Sequence, residues 1–461
     1  MKRSSLLLLV ATSACLAVSA AAATRPHYGG TLRLAMRDAP GSLDPADSSQ
    51  PDSFSTRSMS RLIFDTLVVL DERGIPKPGL SSSWQAEPGN QRWQFSIRRG
   101  VTFQDGTAVS PDAVAASLRR VNSNWKVFAS GEAVVIECGV PMANLPAILA
   151  LSRNGIAKRT SGKLAGSGPF AISAWDPGKK LTLAARDDYW GGRAFVDTIE
   201  IEMGKSYRAQ MILLDLGKAD VVEVAPDQSR HAVAEGRRVE TSAPTEYMAL
   251  VFSRDRQSVA DGKLRQALGL SVDRKSMNNV LLQGGGEPSG ALLPDWMTGY
   301  AFLFPTAGDM QQAQLTRGEV PQAPAWTLGY DADDPVARVI AERIALNARD
   351  AGLRLQPANS AAADVRLVRI PLASLDAHVA LSDLATKLGL AQPLFTRNRN
   401  NDDDPAGDLY AAEHALMQSQ RVIPLLYLRN ASALSAGIMD WIEDREGEWR
   451  LQSVWLRTEK P

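Results

Sequence analysis

Cysteine and histidine are scarce in this chain: 461 residues hold two cysteines, Cys15 and Cys138, and four histidines. Cys15 lies in an apolar leading segment, so the remainder carries one thiol and cannot close an internal disulfide. A chain of this length has enough interior to be held by hydrophobic cores instead. His27, His231, His378 and His414 lack the spacing of a ligand pair. A metal chelate held through one histidine, His378 or His414, is the only metal reading left, and no cofactor is expected. An excess of one charge is missing too: 51 Lys+Arg face 51 Asp+Glu. That balance argues against nucleic acid as a partner and against a strongly charged ligand field.

Catalytic signatures are equally absent. There is no Gly-x-Ser-x-Gly elbow, and Gly166-Ser167-Gly168 has no histidine signature nearby. Gln283-Gly284-Gly285-Gly286-Glu287 lacks the Lys-Ser/Thr of a phosphate loop. The run from Asn400 to Pro405 lacks the central Gly and distal Glu of a calcium loop. Nothing after the leading segment is apolar enough to span a bilayer, and no enzyme activity is expected.

What is present begins with that leading segment. Lys2 and Arg3 precede an apolar run from Leu6 to Ala23 that ends in four alanines. This is the pattern of a secretory signal peptide, cut near Ala22 or Ala23, and it predicts a periplasmic protein. A retained anchor is the alternative, as is lipid attachment at Cys15, although Thr12-Ser13-Ala14 lacks the usual Leu. The length predicts two or three domains.

From Leu62 to Val121 the pieces follow in a definite order. A short helix and a strand lead to a turn at Gly74 and Pro76. Strands around 82–87 and 91–98 flank a turn at Pro88-Gly89-Asn90. Asp105-Gly106 makes a tight turn, and Ser110 caps a helix that starts on Pro111. An apolar helix is expected over Leu145–Leu151. Further on, a strand at Trp326–Tyr330, an Asp334-Pro335 helix start and a strand at Leu353–Leu355 spell a βαβ unit. Its helix is expected to bury Val336, Val339, Ile340 and Ile344. Such α/β lobes bind ligands at the carboxyl ends of their strands. Lys205–Gln210 and Arg237-Arg238 are expected on solvated faces.

This order, with Trp84, Trp93, Phe95 and Phe103 along it, resembles the family 5 solute-binding proteins of bacterial ABC importers. The Gly29–Ala35 entry, Ser42-Leu43-Asp44-Pro45, Gly166–Phe170 and Asp188–Gly192 match it, as do Arg265–Leu268 and Val422–Leu425. The resemblance implies an α/β fold of the periplasmic-binding-protein type II kind: two α/β lobes around a hinged cleft plus a small extra domain. It divides the chain into a signal peptide (1–23), a discontinuous first lobe (24–47, 165–251 and 421–461), a small trimmed domain (48–164) and a third lobe (252–420). It further implies a monomeric receptor that closes over a small molecule or peptide and docks on an ABC permease. A degenerate sensor or scaffold and a member converted to an enzyme are the alternatives.

The departures bear on the ligand. Peptide-binding relatives carry an aromatic-x-x-Asp segment whose carboxylate holds the ligand's amine, and Ile370-Pro371-Leu372-Ala373 stands in its place. Asp376 is the nearest carboxylate. Arg366 and Arg369 either receive a carboxylate or phosphate or form a solvated pair on a strand edge. Ser48–Asp52, with Ser49 and Gln50, follows the Ser42–Pro45 segment; relatives line the cleft with the equivalent backbone, and an ordinary polar loop is the alternative. Tyr247 and Trp296 either touch ligand or pack, with packing favoured.

Overall fold

A computed structural model describes residues 25–160, 162–253, 259–360, 362–395, 405–442, 445 and 447–457. The signal-peptide reading, Cys15 and residues 400–404 lie outside the described residues. Ten strands follow one another in a mixed sheet: Phe170–Asp176, Lys180–Ala185, Thr198–Glu202, Thr31–Ala35, Val221–Glu223, Val422–Leu434, Arg238–Phe252, Val365–Pro371, Ala325–Gly329 and Arg354–Ala358. An eleventh, Gly286–Pro288, pairs with Val422–Leu434.

Each half of this sheet contains a parallel unit, the first half ending in the antiparallel hairpin of Phe170–Asp176 and Lys180–Ala185. Thr31–Ala35 runs parallel to both Thr198–Glu202 and Val221–Glu223. Ala325–Gly329 runs parallel to Arg354–Ala358 and Val365–Pro371, as the βαβ pattern predicts. The long antiparallel strands Arg238–Phe252 and Val422–Leu434 join the two ends. Their register shifts at Thr241/Pro244, Pro244/Glu246 and Met248/Ala249. Pro244 has no N–H for the ladder, and each irregularity bends and twists the pair.

Alternation along the strands sends side chains to opposite faces. On the first lobe Leu32, Leu34, Ile199 and Ile201 pack with Leu62 and Ile63 of the Phe54–Ile63 helix. On the far lobe Met248, Leu250 and Leu328 meet Ile340 and Ile344 on one face. Tyr247, Ala249 and Val251 meet Leu381 and Leu384 on the other. A separate four-stranded sheet, with Arg92–Ile97 and Ala133–Glu137 at its centre, packs Phe95, Val134 and Ile136 against the Pro111–Val121 helix. That helix is capped as expected, Ser110 accepting from the Ala113 N–H.

Three local expectations are corrected. Val339 is 45% exposed; at 100° per residue it lies well off the face formed by Val336, Ala337, Ile340 and Ile344. The helix at Leu145 stops at Ile148 and gives way to turns. Gln210 is buried, because its amide is needed by a buried carboxylate described below.

Two buried carboxylates organise this frame. Asp65 accepts from the Tyr189 hydroxyl, the Trp190 indole and the Ser167 hydroxyl, at 2.9, 3.0 and 3.0 Å. Gly166 is pressed so close that a Cβ there would sit 1.9 Å from the Ile63 carbonyl oxygen. Glu413 accepts from the Leu292 and Leu293 amides and from the Tyr300 hydroxyl. Burial pushes its carboxyl up from 4.5 to about 6, although those donors oppose the rise. The folded state therefore prefers Glu413 protonated. Its contribution to stability is full below the unfolded value of 4.5 and is lost as pH rises through about 6. The loss amounts to ~2 kcal/mol. Glu413→Gln keeps the acceptor for both amides, so its melting temperature should gain on the wild type between pH 4.5 and 7. A constant difference across that range would count against this account.

Candidate functional site

A cavity of about 350 Å³ opens between the two lobes and the small domain. The Ser42–Asp52 segment forms one wall. The Phe54–Ile63 helix adds Thr56, Arg57, Met59, Ser60 and Ile63, and Leu151–Arg153, Ala373 and Lys387 close the far side. Ser53 caps that helix by accepting from the Thr56 N–H.

A string of five charges runs beside the cavity. Arg57 is 6% exposed and forks onto both Asp52 oxygens, at 2.6 and 2.9 Å. It also donates to the Leu372 and Pro371 carbonyls at the end of the Val365–Pro371 strand. Lys387 pairs with Asp52 and, at 2.8 Å, with Asp383. Arg153 reaches Asp383 at 2.9 Å. Burial opposes ionisation of Asp52 and Asp383, but the neighbouring cations overcome it and hold both carboxyls below their usual range. The string ties three separate stretches of chain together, and Ala147 and Leu151 pack on Ala373 and Val379 beside it.

A second network sits at the mouth of the first lobe's parallel strands. Glu223 accepts from the Arg37 N–H at 2.7 Å, the Gln210 amide at 3.0 Å and the Ser55 hydroxyl. Burial raises its carboxyl above the usual range despite these donors. The Arg37 guanidinium lies 4.9 Å over the Tyr207 ring and donates to the Asp333 carbonyl on the opposite lobe.

The residues singled out by sequence fall in different places. Gln50 lines the cavity; Ser49 is exposed beside it and donates to Asp47. Arg366 is exposed. Arg369 is not on a sheet edge: its strand pairs on both sides, and it bridges Asp334, at 2.6 Å, and Glu246. Burial works against that guanidinium, and the two carboxylates hold it firmly charged. Asp376 caps the Ala377–Leu388 helix, accepting from the Val379 N–H at 2.9 Å. Trp296 donates to the Pro244 carbonyl at 3.0 Å.

Tyr247 is fully buried against Tyr427, ring centroids 5.2 Å apart, and its hydroxyl has no hydrogen-bond partner among the described residues. Removing a buried hydroxyl that makes no hydrogen bond relieves a desolvation cost. Tyr247→Phe is therefore expected to raise stability by about 1 kcal/mol, read as a higher unfolding midpoint. A clear loss would mean that the hydroxyl is bonded after all. Asp52 ends the 48–52 stretch weighed as cleft lining, whereas sequence reasoning missed Arg57, Arg153, Asp383 and Lys387, as well as the Arg37–Glu223 network. The one local signal was Arg57, three residues after Phe54 on the same helix face.

Two α/β lobes sharing a bent strand pair, with a cavity between them, define a solute-binding-protein architecture. The chain belongs to the bacterial extracellular solute-binding proteins, family 5, whose middle region matches residues 76–382. It is 26% identical over 290 residues to the probable D,D-dipeptide-binding periplasmic protein DdpA of Escherichia coli, across 56% of this chain and 55% of that one. To the oligopeptide-binding protein AppA of Bacillus subtilis it is 23% identical over 303 residues, across 58% and 54%. These matches span little more than half the length of either relative. Among solved structures, NikA from Staphylococcus aureus with Ni(L-His)2 superposes with a TM-score of 0.78 at 15% identity, covering 93% of this chain and all of that one. AppA from Bacillus subtilis with a nonapeptide gives 0.76 at 17%, covering 94% of this chain and all of AppA. At such identities the likeness is one of fold. Among the described residues no helix is long and apolar enough to cross a membrane.

Proposed function

We propose that this protein is an extracytoplasmic solute receptor without enzyme activity. It captures one small molecule by closing its lobes and hands it to an ABC permease. The observation that carries the reading is the cavity of about 350 Å³ walled by both lobes and the small domain. That volume is near the lower end for small-molecule sites, so it suits a small solute better than an extended chain. The lobes move as the segments 24–47, 165–251 and 421–461 on one side and 252–420 on the other, except that Glu246–Val251 and Val422–Leu428 of the bent strand pair go with the second lobe, whose core they join; 48–164 rides along. The bent strand pair serves as the hinge. A solute shifts this equilibrium only through its higher affinity for the closed form, and the permease reads the relative position of the lobes.

Native mass spectrometry of protein taken undenatured from its host's envelope tests the reading. A small adduct released only on unfolding is the expected result. Protein that carries none, and whose melting does not respond to peptides, sugars or metal chelates, would overturn it.

A further inference from the structure

The cavity wall is rich in charge, and nearly all of that charge is already matched. Asp44 pairs with Arg159. Asp52 is held by Arg57 and Lys387, and Asp383 by Lys387 and Arg153. Arg57 directs its guanidinium to Asp52 and to two carbonyls. Lys387 lies between two carboxylates.

Two groups on the wall remain open. Asp47 has no cation partner among the described residues. One of its oxygens accepts from the Ser49 amide and hydroxyl, at 3.0 and 2.7 Å; the other accepts from the Gln50 amide at 3.1 Å, and the Ser42 hydroxyl also bears on the carboxyl. Those donors hold the Asp47 carboxyl below its usual range. Arg153 binds Asp383 through a single nitrogen and is half exposed, so among the described residues its remaining donors are open to another acceptor. Beside them the Ser60 hydroxyl, also on the wall, is buried without a hydrogen-bond partner among the described residues.

Free carboxylate and half-free guanidinium on one small cavity are the complement of a zwitterion. The chain also lacks the acidic anchor that its resemblance called for: Ile370-Pro371-Leu372 ends the strand there, and Asp376 is engaged as a helix cap. We propose that Asp47 takes that role from the opposite wall, receiving the ammonium of a small zwitterionic solute, with Arg153 facing its carboxylate. This rests on the receptor reading above and adds to it the ligand's charge pattern and the residue that selects it. A carboxylate opposite an ammonium in a partly dry site gains a charge-assisted hydrogen bond. A solute without the ammonium would leave Asp47 desolvated and unmatched.

The test compares wild type and Asp47→Asn, both purified undenatured from the same host envelope, by native mass spectrometry with identification of the released solute. Asparagine keeps the size and, through its one carbonyl oxygen, the bonds from Ser49, losing only the acceptor for the Gln50 amide; the loop is on the surface, so the variant should fold, and equal circular dichroism verifies this. The expected result is a wild type loaded with a solute bearing a protonated amine, and a variant loaded at under a tenth of that occupancy. On stripped protein, titration with Ala-Ala and N-acetyl-Ala-Ala should show wild type favouring the free amine and the variant losing that preference. A loaded wild type whose solute has no amine, or a variant loaded as fully, overturns the inference and leaves the receptor standing. An empty wild type overturns the receptor reading, and the inference with it.

Discussion

Arg369→Ala is expected to cost about 3–5 kcal/mol of stability, because it leaves two largely buried carboxylates facing each other without their cation. Arg369 bridges Glu246 on one neighbouring strand and Asp334 at a helix start, and the Asp334 side chain is only 5% exposed. That helix, Pro335–Asp350, packs Val336, Ile340 and Ile344 into the far lobe's core, so the damage reaches beyond the ion pair. Arg369→Lys should recover part of the loss, since one ammonium cannot present the planar fork that serves two partners at once. Denaturant unfolding of both variants reads this directly. A loss below about 1 kcal/mol for the alanine variant, typical of a solvated pair, would show that the bridge is open to water.

Replacing Gly74 should hold the cleft open. Gly74 turns the hairpin between Val68–Leu70 and Pro76–Pro78 with φ +76°, and a Cβ on it would lie 2.5 Å from the Leu375 carbonyl oxygen. Leu375 belongs to the far lobe, just after the strand that Arg57 grips. A side chain there meets backbone, which cannot swing aside, so the lobes must separate. Gly74→Ala is expected to lower loading with the native solute at least tenfold and to enlarge the radius of gyration seen by small-angle scattering. Gly106→Ala supplies the control, because Gly106 has the same left-handed backbone, φ +77°, with nothing within 4 Å of its Cβ position. Both variants carry the backbone penalty of roughly 1 kcal/mol, and only the first should open the cleft. Equal scattering from the two would show that the small domain yields instead of the lobes.

Most of the frame was legible because local chemistry announced it. Ser110 before Pro111, Asp334 before Pro335 and the turn glycines each specify a boundary within a few residues, and the structure keeps them. The amphipathic pattern of 335–350 was legible too, apart from Val339, where a bulky apolar residue was counted on the wrong side of the cylinder. The cleft was far less legible. Its groups lie far apart in the chain: Asp52 meets Lys387, Arg153 meets Asp383, and Arg37 meets Glu223. No spacing rule connects such pairs, and each residue read alone looks like an ordinary surface charge. Gln210 shows the same limit, since its burial follows from Glu223 thirteen positions later on a different element. Arg369, taken alone, reads as a ligand contact or a solvated edge residue; its partners were invisible until the sheet brought Glu246 alongside.

The order in which the sheet is supplied during synthesis has its own consequence. Val422–Leu434 is the last of its strands in the chain, yet it lies in the middle of the sheet, between Val221–Glu223 and Arg238–Phe252. Until it arrives, the first lobe's strands and the far lobe's strands have no ladder connecting them, and each half presents an open inner edge. Such late, non-local pairing slows folding and leaves unpaired edges available to other chains. A nascent chain of this design stays in two unjoined halves until its final stretch emerges, and a truncation before Val422 would remove the seam of both.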